Sequence, residues 1–139
     1  MFVEHIIHHQ TLALIIRHHD MTPGIEFFTP DDNALQVGQH HYFPGKVIKP
    51  HKHCPVKVER CESFQEVLYI EEGKVKILFY SDDDVLLEEK ILHKGDMALL
   101  MEGGHGFEFL EETKMIEIKQ GPYKPESRAP LEVRNFTKK

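Results

Sequence analysis

Tryptophan is absent and cysteine is scarce. The two thiols, Cys54 and Cys61, cannot build a disulfide framework in a chain of 139 residues. Their separation also fits neither a C-x-x-C redox pair nor a zinc knuckle, so two reduced thiols in a cytoplasmic protein are expected. No apolar run approaches the ~20 residues of a membrane helix. The first stretch, MFVEHIIHHQTLALIIRHH, is interrupted by Glu4, His5, His8, His9 and Arg17, which the apolar core of a signal peptide would exclude. A basic stripe is missing too. Net charge is -6 with histidine neutral, and the acidic residues are dispersed apart from small clusters at 82–84 and 111–112. Nucleic acid and membrane therefore have no support as partners, and the acidity serves solubility. Internal repeats and low-complexity tracts are also lacking.

Helical signals are nearly absent. No segment combines a 3.6-residue apolar period with caps, and a short helix within residues 1–10 is the single helical expectation. The dominant period is two. Val75, Ile77 and Phe79 alternate with Lys74, Lys76 and Leu78, and after the polar turn at 82–84 residues 85–92 resume strand character, which reads as a β-hairpin. Lys94-Gly95-Asp96 is a turn before a short apolar strand at 97–101, and further strands are expected over 64–70, 105–109 and 114–119. Upstream, residues 12–17, 25–29 and 35–43 are weaker strand segments, separated by Pro23-Gly24 and Pro30-Asp31-Asp32-Asn33. Pro44-Gly45 breaks the chain again. After Gly121 the prolines at 122, 125 and 130 interrupt regular structure, leaving an arm over residues 121–139 with one last strand at 131–134.

Length and an ordinary composition, 40% hydrophobic and 29% charged, fit one domain over residues 1–139. Many short strands without crossover helices indicate a sandwich or barrel, and closure into a barrel removes exposed edges. The expected fold is all-β, a single-domain jelly-roll β-barrel with its core at about residues 35–120.

The chain holds 11 histidines. The adjacent pairs His8–His9, His18–His19 and His40–His41 cannot chelate from one strand face, because neighbours point to opposite sides. They read as surface or edge residues, although one of His40 and His41 can face a cavity as acid, base or ligand. His51-Lys52-His53 is different. In an extended segment, i and i+2 share a face, so both imidazoles reach one ion. Glu66 sits on a strand face with Phe64, Leu68 and Ile70, and His105 on one with Phe107 and Phe109. A lone carboxylate on an apolar face needs a partner, and a metal ion is a natural one.

These residues resemble the cupin superfamily. Its first motif is a His-x-His pair, a Glu, six residues and a Gly, matched here by His51, His53, Glu66 and Gly73. Its second runs from a Gly through a Pro-x-Gly turn to a His, matched by Gly95-Asp96 and Met101-Glu102-Gly103-Gly104-His105. The resemblance spans about residues 45–120. It implies a cupin jelly roll with a divalent transition metal held by His51, His53, Glu66 and His105. Two departures stand out. The segment CPVKVERCESFQ lengthens the gap between His53 and Glu66, making Glu62 a rival carboxylate and Gln65 a neighbour. Met101 replaces the usual proline, and the turn before His105 is one residue short. Residues 117–123 are similar to the end of small cupins found among bacterial surface-polysaccharide genes, which implies a sugar or sugar-nucleotide connection. A homodimer is implied by the same family likeness.

Three imidazoles and one carboxylate suit Fe, Mn, Ni or Zn better than Ca or Mg. The implied function is a metalloenzyme acting on a small polar molecule by oxygenase- or isomerase-type chemistry. The alternatives are a non-catalytic binding module and a metal-free cupin that binds a sugar or sugar nucleotide, with His51 or His105 as general base. Tyr69 is expected on the outer surface, Cys54 pointing away from the metal, and Lys57 and Arg60 in solvent or against an anionic substrate.

Overall fold

The computed structural model describes residues 3–18, 22–55, 64–121, 125 and 129–132. Those residues form ten strands and no α-helix. The strands are β1 (Val3–His8), β2 (Gln10–Ile16), β3 (Gly24–Phe27), β4 (Gly38–His41), β5 (Glu66–Glu72), β6 (Lys74–Tyr80), β7 (Leu86–His93), β8 (Met97–Leu100), β9 (Gly104–Phe109) and β10 (Lys114–Lys119). All pairings are antiparallel. One sheet has the order β1-β2-β8-β5-β10, a second β7-β6-β9, and a third is the β3-β4 hairpin. Among the described residues no helix is long and apolar enough to cross a membrane.

The main core lies between the first two sheets. Ile15, Leu68, Ile70, Ala98 and Leu100 from the larger sheet meet Val75, Ile77, Phe79 and Leu92 from the smaller. Period-two alternation on β6 produces this face directly: Val75, Ile77 and Phe79 are buried, and Lys74, Lys76 and Leu78 are half-buried. The larger sheet is covered on its other face as well. Leu14, Ile16, Val67 and Leu99 pack there with Val37, Phe28 and Leu35. Burial on both faces explains why β2 and β8 read as continuous apolar runs.

Two tight turns depend on glycine. Gly73 joins β5 to β6 at φ 93°, and a side chain there would start 2.2 Å from the Glu112 carbonyl oxygen. Gly103 leads into β9 at φ 74°, with the Tyr80 carbonyl oxygen 2.4 Å from the same hypothetical atom. Gly73 and Gly103 are thus set by backbone geometry and close approach.

Several expectations are corrected. Residues 3–8 form a strand, not a short helix. The β-branched Val3, Ile6 and Ile7 favour extended backbone, and the turn at His9, φ 62°, returns the chain so that β1 pairs with β2. Phe64 lies outside β5 and is exposed, so the inner row of that strand begins at Glu66. His51-Lys52-His53 is not a strand. Residues 42–55 pair with no sheet, and Pro44, Pro50 and Pro55 cannot donate to a ladder. At the C-terminal end Leu131 and Glu132 are not in a strand, and residues 133 and 134 lie outside the described residues. Leu131 packs over Gly104, and the Glu132 N–H donates to Asp84 Oδ2 at 3.1 Å.

Candidate functional site

Glu66 opens β5 with its side chain on the inner face, in line with Leu68 and Ile70. It pairs with Leu100 on β8 and with Lys119 on β10. His105 comes from the opposite sheet. It pairs with Phe79 on β6, whose side chain points into the core, so the imidazole points inward beside Phe107, ring centroids 5.4 Å apart. The two side chains meet across the interior, His105 Nε2 standing 3.3 Å from Glu66 Oε2. Glu66 is 8% exposed. The approach of the imidazole does not meet hydrogen-bond geometry, and Oε2 is one of the buried polar atoms left without a hydrogen bond. The proximity alone is chemically effective. The facing imidazole is the largest influence on the Glu66 carboxyl and, with the Lys119 charge, holds it below the usual carboxylate range against the upward push of burial.

β10 contributes a second polar layer. Glu117 is in register with Leu68 and Lys119 with Glu66, so both share the inner face. Lys119 Nζ stands 3.5 Å from Glu117 Oε2. This pair was not singled out from the sequence, although a period-two reading of Met115, Glu117 and Lys119 contained the signal: an inner row that turns polar at the level of Glu66.

His51 and His53 lie in the irregular segment after β4, both exposed. Their rings are neighbours, centroids 5.0 Å apart, and the His51 ring is fixed by a contact of Nδ1 with the Lys49 carbonyl oxygen at 2.9 Å. The four predicted metal ligands are thus brought together as two pairs, Glu66 with His105 and His51 with His53. Among the described residues no group of three or more His, Cys, Asp or Glu is placed to hold a metal ion. The donor set itself fits a transition metal, and the buried, unpaired Glu66 Oε2 is an acceptor whose burial a cation would compensate.

The remaining sequence candidates separate clearly. Gln65 is buried but faces away from Glu66. Its amide exchanges hydrogen bonds with Asn33 at 2.8 and 3.1 Å, and its N–H donates to Gln120 Oε1 at 2.8 Å, which makes it a structural anchor. Tyr69 is exposed on the outer face, as expected, and Cys54 is exposed. Of His40 and His41, His40 is exposed and His41 is half-buried with Nδ1 enclosed and unpaired. Lys57, Arg60, Cys61 and the rival carboxylate Glu62 lie outside the described residues.

A second charged cluster is structural. Asp96 is buried, and its carboxylate receives the Arg17 guanidinium at 2.8 Å and the His93 N–H at 2.9 Å. Arg17 also reaches Glu4 at 2.7 Å. These contacts tie the β7–β8 turn to the ends of β1 and β2.

Comparison with protein-family models, with curated proteins and with solved structures finds no match to this chain.

Proposed function

We propose that this chain is a cupin-type jelly roll that binds one divalent transition metal, Fe, Mn, Ni or Zn, through Glu66, His105, His51 and His53, and acts on a small polar molecule. The observation that carries the reading is the meeting of Glu66 and His105 from opposite sheets. Two polar side chains on otherwise apolar faces, far apart in sequence, converge on one point with a buried oxygen unpaired. Core packing alone does not require such an arrangement, and unsatisfied buried groups mark functional positions.

A bound metal supplies Lewis acidity or an activated water. The chain's own residues do the rest. Glu66, kept ionised, holds the negative charge of the site and steadies the His105 ring. Phe107, Leu68 and Leu100 keep the deep side apolar. Lys119 and Glu117 place charges of both signs on the inner face beside Glu66, where they orient a polar ligand. Oxygenation and isomerisation both fit this equipment. Family likeness adds a homodimer to the reading.

The carboxylate–imidazole contact also favours a second reading. In a metal-free protein that binds a sugar or sugar nucleotide, His105 is the general base and Glu66 its orienting carboxylate. Calorimetric titration of the metal-free protein with Co(II) or Ni(II) separates the two. The metal reading predicts one binding event per chain, lost in both Glu66→Gln and His105→Ala. Absence of binding to the unaltered protein overturns it and leaves the metal-free reading.

A further inference from the structure

β10 is an edge of the larger sheet. It pairs with β5 on one side, and among the described residues no strand pairs with its other side. An open edge is a row of backbone donors and acceptors that can template another strand. Both faces of this strand are accessible as well. On the outer face Ile116 is 47% exposed and Ile118 62%. Tyr69, across from Ile116 on β5, widens that apolar patch and is also exposed. On the inner face the side chains of Glu117 and Lys119 are each more than a third exposed.

The charges on this edge are complementary to a second copy of the same strand. A two-fold axis normal to the sheet sets β10 antiparallel to its copy and keeps inner face beside inner face. The pairing is then centred on a single residue that meets itself. Centred on Ile116, Lys114 faces Ile118 and no charge finds an opposite one. Centred on Glu117, two carboxylates stand opposite each other, which is destabilising. Centred on Ile118, each Glu117 faces a Lys119, Ile118 meets itself on the outer face, and Ile116 stands against Gln120. Edge lysines discourage indiscriminate pairing. Here they leave one register in which both inner-face charges meet their opposites. Within one chain Lys119 Nζ is already 3.5 Å from Glu117 Oε2, so this register gives each lysine a second carboxylate.

We propose that the β10 edge is the surface on which two copies of this chain associate, antiparallel and centred on Ile118. The five-stranded sheet of each copy then continues into that of the other. Backbone hydrogen bonds join the two edges, and the Glu117–Lys119 pairs set the register. The apolar patch of Ile116, Ile118 and Tyr69 lies beside its own copy at the axis. Lys119 is in register with Glu66, so Glu117 of the second copy joins the charged layer beside Glu66 and His105. The inference deepens the homodimer read above and rests on that part of the reading alone.

The test is sedimentation equilibrium of the whole protein over a wide concentration range. The unaltered chain is expected to form a dimer. Glu117→Lys and Lys119→Glu are each expected to weaken it tenfold or more, because each sets like charges opposite one another at two positions. The double variant Glu117→Lys/Lys119→Glu exchanges the charges and is expected to restore the dimer, a recovery that a merely structural role of either residue does not give. Ile118→Asp brings two carboxylates together at the axis and is expected to leave a monomer. These side chains are exposed, so the sheets stay folded, which circular dichroism checks. A monomer at every concentration overturns the proposal. So does a dimer that survives Ile118→Asp or the single reversals, or a double variant no stronger than the singles. Co(II) titration of the same samples reports on the metal site separately: a monomer that binds one metal per chain refutes this inference and leaves the metal reading standing.

Discussion

Replacing His105 by alanine removes the partner of a carboxylate that stays buried. Breaking a fully buried ion pair by deleting one member costs roughly 3–5 kcal/mol. His105 has 31% of its side chain exposed against 11% for Glu66, so screening lowers the expected loss to about 2 kcal/mol. At roughly 3 °C per kcal/mol for a chain of this size, the melting temperature falls by about 6 °C near pH 7. The pH dependence is more telling. In the unaltered protein the Glu66 carboxyl titrates below its usual range. Its contribution is fully present above the unfolded value of about 4.3 and is lost as pH falls through the lower folded value. Without the imidazole, burial dominates and the folded value rises above the unfolded one. The variant's penalty is then fully present above that raised value and is relieved as pH falls through it, whereas the unaltered protein keeps an ion pair wherever the imidazole is protonated. Urea unfolding of the unaltered protein, His105→Ala and His105→Ala with Glu66→Gln, from pH 4 to 8, checks this. The double variant should be more stable than His105→Ala at pH 7, because its side chain carries no charge to bury. A deficit for His105→Ala below 0.5 kcal/mol, or one that does not shrink toward acid, would refute the reasoning.

Asp96 should govern acid stability in parallel. Burial pushes its carboxyl up, but the His93 N–H and the Arg17 guanidinium outweigh burial and hold it below the usual range. Its contribution is therefore present above about pH 4 and lost below it as the folded value is passed. Asp96→Asn should cost about 2–3 kcal/mol at pH 7 and flatten the acid limb of the stability curve measured by denaturant unfolding. Gly73→Ala combines positive φ with a clash against the Glu112 carbonyl, and calorimetric melting should show a loss of at least 2 kcal/mol. Ile77→Ala empties a fully buried position between the two sheets and should cost about 3–4 kcal/mol in the same assay. An unchanged melting temperature for either variant contradicts the turn or core assignment.

The hairpin of β6 and β7 was readable because one of its faces is solvated, so Lys74, Lys76 and Leu78 punctuate Val75, Ile77 and Phe79. Glu66 and His105 were readable for the converse reason, each being the polar exception in an apolar row. β1 was misread because it is an edge strand whose pairing depends on the left-handed turn at His9, which residue type alone does not reveal. The His51-x-His53 spacing fixes which way the two imidazoles point only where a ladder holds the segment straight, and residues 42–55 have no such ladder, so their placement is not legible from the spacing. Between His40 and His41, alternation says that one turns inward, but which one depends on the register of β3 against β4.

The most direct measurement is the metal content of the protein, purified without a His-tag or added metal, beside the His51→Ala/His53→Ala variant. The account predicts near-stoichiometric Fe, Mn, Ni or Zn in the unaltered protein and loss of that metal in a variant whose sheets remain folded by circular dichroism. Stoichiometric metal retained in the variant, or none in either protein after reconstitution, would contradict it.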